Sequence, residues 1–484
     1  MPDPEGASLC DWIPSSFRLS KTITRPEHLA NPFCNILNST GKTATEFPDL
    51  LGKKRCFWRL ANSVAGAATI WFRSWLYWPK ALKLTLPDRH VDVVIISHLT
   101  NIDHLKAEDD FYFGDLHRTL EQNGLLTHTL LINHARAGRQ ISPGKQRIIL
   151  PAFLSPFRES GILARLIAAS FTLSEGDNRS DRHFHRLARL AQFGNKAIGD
   201  YRIGMMLTKL IRHLSPKVII HTYEGHGWER IVAEAAHAMP FPAKVFGYQH
   251  AVIFPGPKAI LQNRGKAMPD HIYTTGQAAK SVLIQDSDLP ESHFSILGSS
   301  KAVKVDPSVK FSPDGACLIA PEGTLGEVIL MAGIGLDAAR ANPDQQFILR
   351  LHPVLPHQKV AAALAPYSPL PDNFELSQVS LDEDLARCSW LCYRGSTLAY
   401  QGILAGLRPI YLDPDGSAST NDPLPQDLAF RRCCVYGREI NDIILKDRNV
   451  RDLDQTELMQ AIDYAKSYLM PFQPDALMEK IKTL

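Results

Sequence analysis

The sequence predicts an α/β protein: two Rossmann-like, doubly wound parallel-sheet domains facing a cleft, with a helical N-terminal extension. Three observations carry that expectation. Short apolar runs rich in β-branched residues recur, helical periodicity lies between them, and the rhythm breaks once and restarts. Continuous apolar runs of this kind suit strands covered on both faces, the condition of a parallel sheet. Alternation of such strands with helices is the pattern of a doubly wound fold.

Taken in order, residues 1 to about 88 hold many turn formers and no strand alternation, apart from one aromatic helical segment. They are expected to form the extension. The first apolar run is Val91 to His98, followed by Thr129 to His134, Lys217 to His221 and Lys244 to His250. Helical patterns are expected from Arg182 to Leu214 and from Trp228 to His237. Between Gly298 and Pro313 the sequence turns polar, with Ser299-Ser300-Lys301 and then Asp306-Pro307-Ser308, and reads as an interdomain linker. Strand-like runs resume at Ala316–Ala320, Gln346–Leu351, Trp390–Tyr393 and Pro409–Leu412. The expected organisation is therefore an extension over 1–88, a first Rossmann-like domain over 89–300 and a second over 314–455. The tail over 456–484 reads as one or two helices interrupted by Pro471 and Pro474.

Composition narrows the class. The 484 residues are 45% apolar and 21% charged, which excludes a largely disordered chain, a collagen-like fibre and a polytopic membrane protein. A formal net charge of +3 gives no case for nucleic acid as the main partner. The eight cysteines lack the paired CxxC spacing of a zinc site. The opening Met1-Pro2-Asp3-Pro4-Glu5 has no basic region leading into an apolar one, so a cytoplasmic protein with reduced thiols is the expectation. No cofactor and no metal site are read from the chain.

The segment 56–78 carries Trp58, Trp71, Phe72, Trp75, Tyr77 and Trp78 among Lys53, Lys54, Arg55, Arg59, Arg73 and Lys80. Its uncharged stretch from Leu60 to Phe72 is shorter than the ~20 apolar residues a bilayer span requires. Two readings stay open: a helix packed on the protein's own core, or an interfacial helix giving peripheral contact with the inner face of the cytoplasmic membrane.

In doubly wound sheets ligands bind outside the carboxyl ends of the strands, so the residues after each run are the candidates. After Ile220 comes His221-Thr222-Tyr223-Glu224-Gly225-His226-Gly227-Trp228-Glu229. Glu224 there could act as a general base on an acceptor hydroxyl. Gly225 and His226 would approach the acceptor or sugar. The alternative for Glu224, and the favoured one for Glu229, is a helix-capping acid. Gln249 and His250 end the next run and could donate to a sugar hydroxyl or phosphate. His98 also ends a run, without glycines beside it.

In the second half, Arg350-Leu351-His352-Pro353 closes an apolar run, with Pro353 fixing the backbone beside His352. Arg350 is a candidate phosphate ligand and His352 a partner for a leaving phosphate. Gly395, Ser396 and Thr397 lie between a strand and a helix, a site for phosphate on helix N–H groups, or a plain helix cap. Glu322 and Gly323 follow the first strand after the linker and are weaker nucleotide-binding candidates. Asp382-Glu383-Asp384 resembles a metal-binding triplet but sits where acids favour a helix start. The chain has no P-loop, complete GxGxxG or GxSxG motif.

The acidic-Gly turn, the His-Pro pair and the Ser-Thr pair, spread over residues 90 to 455, resemble GT-B glycosyltransferases that use CMP-activated sugars. The likeness is to bacterial sialyl-, polysialyl- and Kdo-transferases and to surface carbohydrate biosynthesis proteins. The resemblance implies that Glu224 is the base, His352 contacts the donor phosphate, and Ser396 and Thr397 cradle it. It also implies an inverting, metal-independent transfer from a nucleotide sugar to a glycan or lipid-linked glycan acceptor. The family motif often carries two acids before the glycine, whereas Tyr223 precedes Glu224 here, so Glu229 stays in reserve as the base. CDP-activated donors, a UDP-sugar transferase, a sugar 2-epimerase and a non-catalytic scaffold of a glycan assembly complex remain alternatives.

Overall fold

A computed structural model describes residues 25–34, 53–78, 90–138, 146–173, 179–254, 265–302, 309–352, 355, 357–413, 421–449 and 455–484. Pro353, Lys80, linker positions 303–308 and much of the 1–88 extension lie outside the described residues.

Two parallel sheets form, as the alternation of strands and helices predicts. The first contains β1 (Val93–Leu99), β2 (Thr127–Asn133), β3 (Arg147–Ile149), β4 (Val218–Thr222), β5 (Lys244–Gln249), β6 (His271–Thr274) and β7 (Phe294–Ile296). Their order is β3-β2-β1-β4-β5-β6-β7. The second contains β8 (Ala316–Ala320), β9 (Phe347–Leu349), β10 (Phe374–Leu376), β11 (Cys388–Tyr393), β12 (Arg408–Leu412) and β13 (Arg432–Cys434). Its order is β10-β9-β8-β11-β12-β13. Every pairing within the two sheets is parallel.

Each sheet winds outward from a central strand, returns, and winds outward the other way. The reversals fall between β1 and β4 in the first sheet and between β8 and β11 in the second. Chain connections leave a crevice at such a reversal, beyond the carboxyl ends of the two strands. The central strands are buried, as their apolar runs require, apart from half-buried His98 near the end of β1.

Two differences from the sequence expectation have simple causes. The helical stretch expected from Arg182 to Leu214 divides into two helices, Arg179–Ala191 and Asn195–Leu214, separated at Phe193-Gly194. Five short strands (β3, β6, β7, β10 and β13) escape the apolar-run criterion because each has three or four residues with a polar or charged one among them, unlike the equally short but fully apolar β9. The tail forms the helices Gln455–Tyr468 and Asp475–Lys482, with the two prolines between them. Leu477, Met478 and Ile481 of the last helix pack with Val93, Ile95 and Phe246 of the first sheet. The chain therefore crosses back, and Ser299 N donates to Met470 O at 2.8 Å where the outgoing and returning segments meet.

Candidate functional site

At the first reversal, the carboxyl ends of β1, β2, β4 and β5 bring up His98, Asn133-His134, Thr222 and Gln249-His250. His98 Nε2 lies 2.8 Å from Thr222 Oγ1, across the crevice between β1 and β4. His98 Nδ1 lies 2.9 Å from His134 Nε2. The loop after β4 turns at Gly225, whose φ of 89° lies in the left-handed region that glycine adopts without strain. Glu229, on the first turn of the Gly227–His237 helix, folds back over that loop. Its carboxylate accepts from the backbone N–H groups of Glu224, Gly225 and His226 at 2.9, 2.8 and 2.9 Å. Glu229 is thus a buried loop clamp, and its reserve role as the base has no geometric support.

With Glu229 holding the backbone, Glu224 turns its own carboxylate to two imidazoles. Oε2 lies 3.2 Å from His226 Nε2 and Oε1 lies 2.8 Å from His250 Nε2. The Tyr112 ring stands edge-on to His250, with centroids 4.6 Å apart. Burial opposes ionisation of Glu224, but the two imidazoles outweigh it and hold its carboxyl well below the usual carboxylate range. Burial likewise opposes charge on His226. The Glu224 contact, with the charges of Glu229 and Asp200, overrides it and raises that imidazole to about 9. His98 goes the other way: burial first, then His134, pushes it well below 6.5. One cluster therefore holds a neutral histidine pair beside a carboxylate–imidazolium pair, the separation that acid–base work requires. Gln249 is fully buried and donates to Ala251 O, so it supports the β5 end from within.

The second reversal is built differently. Glu322 and Gly323 follow β8; Arg394, Gly395, Ser396 and Thr397 follow β11. Gly395 takes φ of 56°, and a Cβ there would fall 1.4 Å from Glu322 Oε1, so the Glu322 side chain lies directly over the glycine. His352, beyond β9, places Nδ1 3.2 Å from the position a Cβ on Gly323 would take. Glu322, Gly323, His352 and Gly395 thus converge. Ser396 Oγ accepts from Leu398 N at 3.2 Å, while Thr397 is the N-cap residue of the Leu398–Leu404 helix and its hydroxyl makes no cap bond. Arg350 Nη1 donates to Asp384 Oδ2 at 2.5 Å and to Val379 O at 3.0 Å. This ion pair also accounts for Asp384, the last acid of the triplet.

Lys301 links the two ends. Its carbonyl accepts from Gln401 Nε2 at 3.5 Å, on the helix that follows Thr397, and its ammonium lies 5.3 Å over the Phe111 ring. Burial lowers its pKa, and the nearby Glu224 charge opposes that shift. Sequence reading placed Lys301 in the linker and passed over Tyr112 and His134. His134 was visible as the end of an apolar run. Tyr112 and Lys301 carry no local signal, because only the sheet order brings their loops to Glu224. Among the described residues no group of three or more His, Cys, Asp or Glu side chains is arranged to hold a metal ion.

No protein-family model and no curated protein matches the chain. Among solved structures it is similar to the kitacinnamycin glycotransferase, at 10% identity, 81% of this chain, 99% of that chain and a TM-score of 0.47. It is similar to the calicheamicin glycosyltransferase CalG4, at 9% identity, 82% and 98% coverage and a TM-score of 0.46. It is also similar to a UDP-GlcNAc 2-epimerase from Methanocaldococcus jannaschii, at 11% identity, 81% and 99% coverage and a TM-score of 0.41. Likeness at this level assigns no activity, substrate or site residue to the chain.

Proposed function

We propose that this protein is an inverting, metal-independent glycosyltransferase that moves a sugar from a CMP-activated donor to a glycan acceptor. The observation that carries the reading is the pairing of two unlike strand-end clusters. One is a charged Glu224–His226–His250 group at the first sheet's reversal; the other is the glycine-lined cradle of Glu322, Gly323, His352 and Gly395 at the second's.

A carboxylate held as low as Glu224 is a weak proton acceptor by itself. It serves best as the partner of His250, the way a carboxylate orients an imidazole base. In the proposed step an acceptor hydroxyl gives its proton to the Glu224–His250 pair as its oxygen attacks the anomeric carbon. The bond from that carbon to the phosphate oxygen breaks, and its electron pair leaves with CMP. The new negative charge on the phosphate is met by His352, the Ser396 and Thr397 hydroxyls and the backbone N–H groups beside them. Glu322 and Gly323 shape the nucleotide side of the cradle. Gly225, His226 and the Gln249-supported β5 end shape the acceptor side. Arg350, fixed on Asp384, steadies the β9 end that carries His352. The reading places the acceptor among growing bacterial surface glycans, such as capsule or lipopolysaccharide, made by a cytoplasmic protein bound peripherally at the membrane.

The test is product formation. The purified chain is incubated with CMP-, CDP-, UDP- and GDP-activated sugars and a panel of surface-glycan acceptors, and released nucleotide and the anomeric configuration of the product are measured. CMP release with inversion supports the reading. UDP release, or epimerisation of a UDP-sugar without transfer, replaces the donor assignment. No turnover with any donor favours a scaffold.

A further inference from the structure

The Lys53–Tyr77 and Pro156–Ser170 helices lie against each other and against the Arg179–Ala191 helix. The first of them packs inward through small residues: Ser63, Ala67 and Ser74 are buried, and Gly66 approaches Asn195 closely. Its large side chains stay outside, with Trp71, Phe72, Trp75 and Leu76 all exposed. The neighbouring helix continues the same surface. Phe157 and Phe171, at either end of one face, are 76% and 79% exposed. The Trp75 and Phe157 rings meet edge-on at 6.2 Å, and Trp71 Nε1 donates to Ser160 Oγ at 3.1 Å. The aromatic surface therefore spans two helices, and neither reading of the sequence alone contained its second half.

Among the described side chains of the three helices, the exposed charges are all basic. The sequence of the Lys53–Tyr77 helix holds Lys53, Lys54, Arg55, Arg59 and Arg73 and no acid. Arg73, Arg158 and Arg165 are exposed on the two helices, and Arg182 and Arg186 are exposed on the third. Two acids beside them, Glu159 and Glu27, have inward partners, and the third helix also carries Asp181 in its sequence. Glu159 is buried on Arg202 at 2.8 Å, and Glu27 accepts from Tyr201 at 2.9 Å. Among the described residues no helix is long and apolar enough to cross a membrane. Exposed indoles and phenyl rings flanked by cations suit the headgroup boundary of an anionic bilayer, where rings bury and guanidinium groups meet lipid phosphates.

We propose that the paired faces of these two helices form a membrane-docking surface for anionic phospholipid. The surface deepens the peripheral membrane binding of the reading above and is separate from the strand-end clusters. Its failure would therefore remove that binding but leave the transfer reaction standing, and failure of the transfer reaction would leave the surface standing.

The experiment uses the full chain with large vesicles of phosphatidylcholine alone and with phosphatidylglycerol added, read by co-sedimentation and by the tryptophan emission maximum. The expected result is at least about tenfold more bound protein on the anionic vesicles, with a blue shift. The combined Phe72→Ser, Phe157→Ser, Phe171→Ser variant should lose binding to both. The Arg73→Glu, Arg158→Glu variant should fall to the level seen on phosphatidylcholine. Unchanged melting temperatures show that the variants fold. Absence of binding to either vesicle overturns the proposal, as does binding that the variants leave intact. So does a concentration-dependent dimer of the wild type that the triple-serine variant abolishes without any vesicle binding, which would assign the face to a second copy of the chain.

Discussion

The two strand-end clusters occupy equivalent places in two similar sheets, yet they are built from opposite materials. The first is dense: the Glu224 carboxylate lies within 3.2 Å of two imidazoles, on a loop clamped from behind by Glu229. The second is open, with His352 exposed and glycine backbone on its floor. Buried charges that fix each other's protonation suit proton transfer, whereas exposed glycine backbone and hydroxyls suit a phosphate that must arrive and leave. Under the proposed function the same architecture divides into a chemical half and a binding half.

That contrast can be broken most forcefully at Glu224. Glu224→Gln should lower the transfer rate by about 10²–10⁴-fold, the range for loss of acid–base assistance, while nucleotide affinity stays within about twofold. Steady-state kinetics beside a nucleotide titration measure both. A matching loss of nucleotide affinity would merge the two halves.

His352→Ala should do the opposite. Losing a charge-assisted contact of about 1.5–3 kcal/mol weakens nucleotide binding by roughly ten- to hundredfold. Titration calorimetry reads that directly, and the protein's pH–stability curve should not move.

The pH dependence of stability sharpens the contrast next. His226 has a folded pKa of about 9, above its ordinary 6.5. Its contribution is therefore complete below 6.5 and lost as pH rises through 9. Glu229, raised by burial from 4.5 to about 7, works in the same direction over a lower window. Unfolding free energy should decline from pH 7 to 9.5 with a slope of at most about 1.4 kcal/mol per pH unit from His226. His226→Gln should flatten that window in urea titrations. A slope unchanged in the variant would show that His226 is not held charged.

The smallest effect is expected at Thr397. Its hydroxyl makes no cap bond, so Thr397→Val should alter stability by no more than about 0.5 kcal/mol. It should weaken nucleotide binding by roughly three- to tenfold, one neutral hydrogen bond. A larger drop in melting temperature than in affinity would make it a structural residue.

Much of the fold was legible because central parallel strands are buried on both faces and must be apolar throughout. Eight such strands stand out in the sequence, and all eight form. The short edge strands did not show, since β3, with Arg147 in it, has no continuous apolar run. Part of the site was legible too, because strand ends are where loops gather: Glu224, His226 and His250 meet as their positions suggested. What stayed hidden depended on strand order. Nothing local says that β1 and β4 are neighbours, so His98 looked isolated when it in fact faces Thr222. Lys301 read as linker for the same reason. The aromatic helix shows a third kind of limit. Its aromatic and basic make-up was clear, but not that Ser63, Ala67 and Ser74 face inward and Trp71 and Trp75 outward, with Gly66 set close against Asn195.

The division of labour between the halves is tested most directly by calorimetric titration of the wild type, Glu224→Gln and His352→Ala with CMP, CDP, UDP and GDP. The account predicts selective CMP binding, kept in Glu224→Gln and weakened at least about tenfold in His352→Ala. Loss of binding in Glu224→Gln with retention in His352→Ala would contradict it.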